Sequence, residues 1–181
     1  MREHSGIMRA VPAGRESGKA RTIENGEEGI LLMRDRAMRT LLPGNEYIPD
    51  PAVVRGILLV HKPASVRFAA GAGGIVIDQD RTAGGWAEIS CRLLSLRRFA
   101  AAHADELLSG ISAEELLVQM VRGVLKRQMS EAARLRDDHQ TEQQLWGGCR
   151  EQTEQSLLRA GWMLEDFEME LTPAWKEVRY A

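Results

Sequence analysis

Hydrophobic and polar residues alternate along much of the first half of the chain, which is the pattern of β-strands with one buried face. The clearest case is Trp86–Leu93, in which Ala87, Ile89, Cys91 and Leu93 fall on one side and polar residues on the other. This alternation predicts Cys91 as a small core residue and not as a nucleophile. Further strands are predicted by apolar runs bounded by Gly, Pro or charged residues: Gly29–Met33, Met38–Leu42, Val53–Val60, Val66–Ala70 and Gly74–Asp78.

From Ser95 onward the apolar residues recur every three or four positions, which predicts helices. Ser95 is predicted to cap a short helix that carries Phe99. Ser112 and Glu115 stand in the spacing of a capping box, in which each side chain satisfies a free backbone donor of the other residue. A long helix with a buried apolar stripe is therefore predicted from this box to about Met129.

A second long helix is predicted over Leu145–Ala160, ended by Gly161 in a left-handed conformation. Phe167–Leu171 alternates again and predicts a closing strand. The fold class is therefore α+β, with a mainly antiparallel sheet in the amino-terminal half, two longer helices and a carboxy-terminal strand that rejoins the first strands. Residues 1–21 lack apolar periodicity and are predicted as a mobile basic arm, and residues 22–181 as a single domain.

Composition and charge indicate a soluble globular protein and argue against several other classes. The chain has 181 residues, of which 44% are hydrophobic and 28% charged, as expected for a soluble globular protein. Its 24 basic and 26 acidic residues leave a net charge of −2, which argues against nucleic-acid binding. No apolar segment approaches the ~20 residues needed to span a bilayer, and the first residues lack the apolar core of a signal peptide. Two cysteines without such a signal indicate a reducing compartment, and the predicted location is cytoplasmic.

The motifs that carry chemistry in other proteins are weak here. Gly71–Gly74 precedes a strand and not a helix, so the sequence predicts a hairpin turn instead of a phosphate cradle. His103 and Asp105 are two positions apart and would not face each other on a helix. Acidic pairs that could bind a divalent cation are better explained as solvated turns: Asp78 with Asp80, and Asp137 with Asp138.

The histidines and cysteines are isolated from one another, which argues against a structural metal site: His4, His61, His103, His139, Cys91 and Cys149. The tryptophans lack the basic neighbours of a nucleic-acid surface and are predicted as core or interface anchors: Trp86, Trp146, Trp162 and Trp175. No catalytic, cofactor-binding or metal-binding residue is therefore assigned, and no cofactor or small-molecule substrate is expected.

Several segments together resemble the SPFH domain, also called band 7 or prohibitin homology domain, of the stomatin, prohibitin and flotillin group. The segments that carry the resemblance keep that family's order and spacing: Ile23–Leu32 before Leu41–Gly44, Ala87–Leu93 before Leu96–Phe99, Leu116–Met129, Leu145–Ala160 and Gly161–Met169. The chain is most similar to the soluble, virion-core-like branch. It departs from the family's usual pattern by lacking a membrane hairpin and a long coiled coil.

The resemblance implies a non-enzymatic scaffold or protein-interaction module that self-associates or binds another protein. It implies no catalytic residues. The alternative is a small-ligand-binding protein or an unrecognised hydrolase that uses the Gly71–Asp80 loop. A third possibility is weak peripheral contact with an anionic membrane through the basic residues of the arm: Arg2, Arg9, Arg15, Lys19 and Arg21.

Overall fold

The computed structural model describes residues 7–15, 19–77, 79, 81–135, 142–173 and 175. This part of the chain has the predicted α+β fold class, built from antiparallel sheets and three α-helices. The strands are β1 (Met8–Pro12), β2 (Arg21–Thr22), β3 (Glu27–Met33), β4 (Met38–Leu41), β5 (Glu46–Tyr47), β6 (Val54–His61), β7 (Ser65–Val76), β8 (Thr82–Leu93) and β9 (Trp162–Leu171). The helices are α1 (Leu96–Ser109), α2 (Ala113–Leu135) and α3 (Glu142–Arg159).

The chain divides into two compact units, which interrupt each other along the sequence. Unit 1 comprises Met1–Val66, Arg92–Glu115 and Ala160–Trp162, and unit 2 comprises Arg67–Cys91, Leu116–Arg159 and Met163–Ala181. The single domain expected over residues 22–181 stays a prediction.

Unit 1 is built on a four-stranded antiparallel sheet in the order β1-β6-β3-β4. A hairpin turn at Arg34–Arg36 joins β3 to β4, and Met33 donates its backbone N–H to the carbonyl of Ala37 across it. The central strands β3 and β6 carry nearly continuous apolar runs, since both of their faces are covered. Helix α1 packs on β1, β3 and β6, and Ser95 caps it as predicted, its hydroxyl accepting the backbone N–H of Arg98 at 3.2 Å.

The prediction of a mobile arm is wrong for Met8–Pro12. These residues form β1, an edge strand that pairs with β6 in the register Met8 to Val60 and Pro12 to Gly56. The five-residue segment has little alternation of its own, and its hydrogen-bonding partner lies about 50 residues further along the chain. Only the tertiary structure brings the two together. Residues 1–6 lie outside the described part of the chain.

Unit 2 contains most of a three-stranded sheet in the order β7-β8-β9, together with α3 and most of α2. The alternation predicted for β8 is confirmed, because Ala87, Ile89 and Cys91 are fully buried.

Helix α3 lies against β9, where Trp146 and Phe167 meet edge to face with ring centroids 5.9 Å apart. Helix α2 continues six residues beyond the predicted end at Met129. It begins at the predicted capping box, since the backbone N–H of Glu115 donates to the Ser112 hydroxyl and that of Ser112 to the Glu115 carboxylate.

The closing strand does not rejoin the first strands. β9 pairs with β8, in a sheet separate from the one that holds β3, β4 and β6. The sequence pattern predicts that Phe167–Leu171 is a strand with one buried face, but many edges could accept such a strand. The glycine stop before it is confirmed, since Gly161 has a φ of +87°.

Candidate interaction surface

The Gly71–Asp80 segment is not the glycine loop that the sequence predicts. Gly71 to Val76 belong to the single twelve-residue strand β7, and the turn to β8 comes later, where Ile77 donates its backbone N–H to the carbonyl of Arg81. Asp78 and Asp80 lie outside the described residues, as do Asp137 and Asp138. The predicted turn at Gly71–Gly74 is therefore wrong, because strand pairing overrides the local preference of these glycines.

Gly74 still marks an irregularity in β7. Its φ of +68° is left-handed, a conformation typical of glycine in a β-bulge. The buried positions of the strand shift there, from Phe68, Ala70 and Ala72 before Gly74 to Ile75 after it. The bulge thus keeps apolar side chains directed inward on both sides of the glycine pair.

The opposite face of this sheet in unit 2 is largely open to solvent, and we call it the outer face. Arg67 on β7 and Glu88 on β8 form an ion pair across it, with Nη2 and Oε2 2.6 Å apart. The side-chain alternation of β8 and β9 adds four further residues: Trp86, Asp166, Glu168 and Glu170. These six side chains define the outer face throughout.

The outer face carries an excess of negative charge. Among these six residues, four carboxylates stand against one guanidinium, Arg67, and the alternation of β8 places a second guanidinium, Arg92, further along the same side of the strand. The pKa of Arg67 is raised, first by its hydrogen bond to Glu88, then by the charge of Glu88, and further by Glu168 and Asp166. Arg67 therefore stays charged, but carboxylates still outnumber guanidinium groups on this side of the sheet.

Trp86 stands out from this charged surface as an exposed indole, with 41% of its area accessible. Gly71 lies beside it, since a Cβ on that glycine would come 3.6 Å from the Trp86 Cβ. A Cβ on Gly73 would meet no atom within 4 Å. The strand next to Trp86 therefore presents bare backbone, and the outer face is flat enough for another element to approach closely.

The inner face of the same sheet holds a cysteine whose thiol is unreactive near neutral pH. Burial raises the pKa of the Cys91 thiol from 9.0 to about 12, with a smaller contribution from Glu165. Burial also raises the pKa of the Cys149 thiol on α3 to about 12. Both thiols stay protonated near neutral pH and lack the electropositive surroundings of a reactive thiolate. The sequence-based prediction of Cys91 as a core residue is confirmed.

These raised pKa values predict a loss of stability in alkali. Between about pH 9 and pH 12 the unfolded thiol ionises while the folded one does not, so the free energy of unfolding falls as pH rises, by about 1.4 kcal/mol per pH unit and thiol. Urea denaturation at about pH 8 and about pH 10 measures how far the free energy of unfolding falls between the two. We expect this fall to be smaller for C91A than for the wild type, by roughly 1.4 kcal/mol. An equal loss in both proteins would show that Cys91 ionises in the folded state.

In unit 1, His103 and Asp105 contact different residues. The His103 ring contacts Phe99 at 5.1 Å between centroids, and its Nδ1 lies 3.7 Å from Glu106 Oε1. Asp105 instead accepts a hydrogen bond from Arg55 at 2.7 Å. Among the described residues, no group of three or more His, Cys, Asp or Glu side chains is arranged to hold a metal ion.

Unit 1 also has an apolar groove of about 440 Å³, lined by Leu31, Met33, Tyr47, Ile48 and Val53. Ile48 and Val53 expose 59% and 50% of their areas. The groove lies beside β5, and its lining includes two carboxylates, Glu46 and Asp50, and one guanidinium, Arg39, against four carboxylates on the outer face. It is therefore a useful comparison surface.

Two basic residues of the predicted arm, Arg9 and Arg21, line one pocket together with Glu27. Arg9 lies on β1 with its Nη2 3.9 Å from the buried carboxylate of Glu27, and Arg21 lies on β2. Lys19 is exposed, and Arg2 lies outside the described residues. The proposed membrane contact through these residues stays a prediction. None of the helices in the described ranges is both long enough and apolar enough to cross a membrane.

Sequence reasoning placed Trp86 among core or interface anchors but did not identify the charged residues around it. A signal was present in β9, where acidic residues occupy every second position from Asp166 to Glu170. Alternation of this kind predicts an acidic solvent face as directly as the apolar residues predict the buried one.

No protein-family model matches the chain, and no curated protein matches it significantly. The SPFH resemblance therefore stays a prediction from the sequence.

Proposed function

We propose that this chain is a non-enzymatic, self-associating scaffold or protein-interaction module of the SPFH type, working in a reducing compartment such as the cytoplasm. The observation that supports this most directly is the outer face of unit 2. It combines an exposed tryptophan, bare glycine backbone and a row of carboxylates. Trp is among the residues that contribute most to binding energy at protein interfaces.

The edge strand of the same sheet also supports self-association. β7 is an edge strand in the order β7-β8-β9, and from Phe68 to Val76 it carries no charged residue and no proline. Edge strands of proteins that stay monomeric are commonly protected by Lys, Pro or a covering segment. The uncharged run therefore favours a surface that another protein chain covers.

The proposal predicts that Trp86→Ala weakens self-association. Loss of a hot-spot tryptophan costs about 2 kcal/mol or more, which corresponds to roughly a thirtyfold increase in the dissociation constant. Sedimentation-velocity titrations of the wild type and the variant measure this change. The expected stability loss is small, because Trp86 is already partly exposed.

Ile48→Ala is the matched control, since Ile48 is an exposed apolar residue in the groove of unit 1. We expect it to associate like the wild type. If Ile48→Ala weakens association while Trp86→Ala does not, the groove is the contact surface and the outer face is not. A wild type that remains monomeric at about 0.1 mM contradicts self-association altogether.

A further inference from the structure

The surface that complements the acidic outer face is present on the same chain. Helix α2 exposes Arg122, Lys126 and Arg127 on the side away from its buried stripe. All three belong to unit 2, and none is paired with a carboxylate of another described residue. We call these three residues the basic stripe.

The basic stripe matches the outer face in charge. Its three positive charges complement a surface on which carboxylates outnumber guanidinium groups. Electrostatic complementarity of this kind speeds association and disfavours pairings that bring like charges together.

The two surfaces are also comparable in size. The acidic row Asp166–Glu170 extends about 13 Å along a strand. The stripe from Arg122 to Arg127 covers about 7.5 Å of helix axis, and its long side chains extend beyond that length.

The shape of α2 suits a flat sheet with one projecting indole. Gly123 lies within the basic stripe, is exposed, and a Cβ built on it would meet no atom within 4 Å. A helix with such a gap accepts a bulky side chain from a facing surface. Covering a sheet with helices on both faces is, moreover, a common arrangement in proteins.

We infer that the basic stripe of one copy docks on the outer face of a second copy. This inference rests on the proposed self-association and names the surfaces that perform it. Pairing of two outer faces or of two basic stripes would oppose like charges, so a symmetric contact through either surface is disfavoured. Stripe-to-face contacts remain, and they can be reciprocal in a two-fold dimer or run head to tail in a ring or an open filament.

Charge reversal with complementation tests this inference. Variant A is Glu168→Lys/Glu170→Lys, which makes the outer face basic, and variant B is Arg122→Glu/Lys126→Glu, which makes the stripe acidic. All four residues are exposed, so both variants are expected to fold. Each alone should associate at least tenfold more weakly than the wild type, a change of about 1.4 kcal/mol.

Mixing the two variants should restore association. The unchanged stripe of variant A then meets the unchanged outer face of variant B, and the two reversed surfaces meet each other. Light scattering should show that each variant alone is small, whereas the equimolar mixture forms assemblies of wild-type size. Glu24→Lys/Glu154→Lys changes the net charge by the same amount as variant A on other exposed surfaces, and should associate like the wild type.

The outcomes separate this inference from the function that it rests on. If the wild type associates but variants A and B each associate as well as the wild type, or if the mixture shows no recovery, the stripe-to-face contact is wrong while self-association stands. If the wild type is monomeric at about 0.1 mM and low salt, the proposed self-association itself fails.

Discussion

Trp162→Ala is expected to destabilise the protein by about 3–5 kcal/mol, the usual cost of removing a large aromatic side chain from a core. Trp162 has no exposed surface, and its ring meets that of Phe99 edge to face, with centroids 5.5 Å apart and an interplanar angle of 86°. The variant would lose both the buried area and this aromatic contact and would leave a cavity. The change in the free energy of unfolding, measured by urea denaturation, checks the prediction.

Trp162→Phe is the informative control. The indole N–H of Trp162 is buried without a hydrogen-bond partner among the described residues, so phenylalanine removes no polar interaction and keeps a ring near Phe99. We expect it to cost only about 1–2 kcal/mol. A loss below about 1 kcal/mol for Trp162→Ala would contradict the tight packing on which the prediction depends.

The neighbouring Gly161→Ala is expected to cost about 3 kcal/mol or more for two separate reasons. Gly161 has a φ of +87°, which strains any residue with a Cβ. That Cβ would also come 2.5 Å from the carbonyl oxygen of Ser95 and 3.0 Å from the Cβ of Arg98. The clash has little room to relax, because the carbonyl of Gly161 accepts the backbone N–H groups of Leu94 and Ser95 at 2.8 and 3.0 Å.

Gly110→Ala separates these two contributions. Gly110 ends α1 with a φ of +102°, but a Cβ at this position would meet no atom within 4 Å. Its replacement therefore carries the conformational strain without the clash, and should cost about 1 kcal/mol. Equal losses for Gly110→Ala and Gly161→Ala, measured by thermal and urea denaturation, would show that the chain around Ser95 moves aside without cost.

Local features of the structure follow closely from the sequence. The buried side of β8 and the capping box at Ser112 and Glu115 are present as predicted. Each depends on residues at most a few positions apart, whose geometry is set by strand alternation or by the first turn of a helix. The apolar stripe predicts too early an end for α2. Ala132 and Ala133 are good helix formers, but they add no large apolar residue to the stripe.

Predictions that depended on distant partners were less accurate. The strand Met8–Pro12 exists because β6 offers it an edge, and Gly71–Gly74 lie within a strand because β8 pairs with β7. The candidate surface likewise combines a feature set by local sequence with one set by distant strands. The sequence places acidic residues on one side of β9, whereas only the sheet order brings Arg67, Glu88 and Glu168 onto one face.

By itself the sequence determined the α+β class, the inward-facing residues of β8, the helix caps and the glycine that ends α3. These properties arise from steric and hydrogen-bonding rules that act within one or two turns of a helix or along one strand. The tertiary structure alone decided which sheet receives β9, that an early segment becomes β1, and that Trp86 is exposed beside a row of carboxylates. Strand pairing between residues far apart in the chain is a choice among many compatible edges, and that choice depends on how the whole core packs.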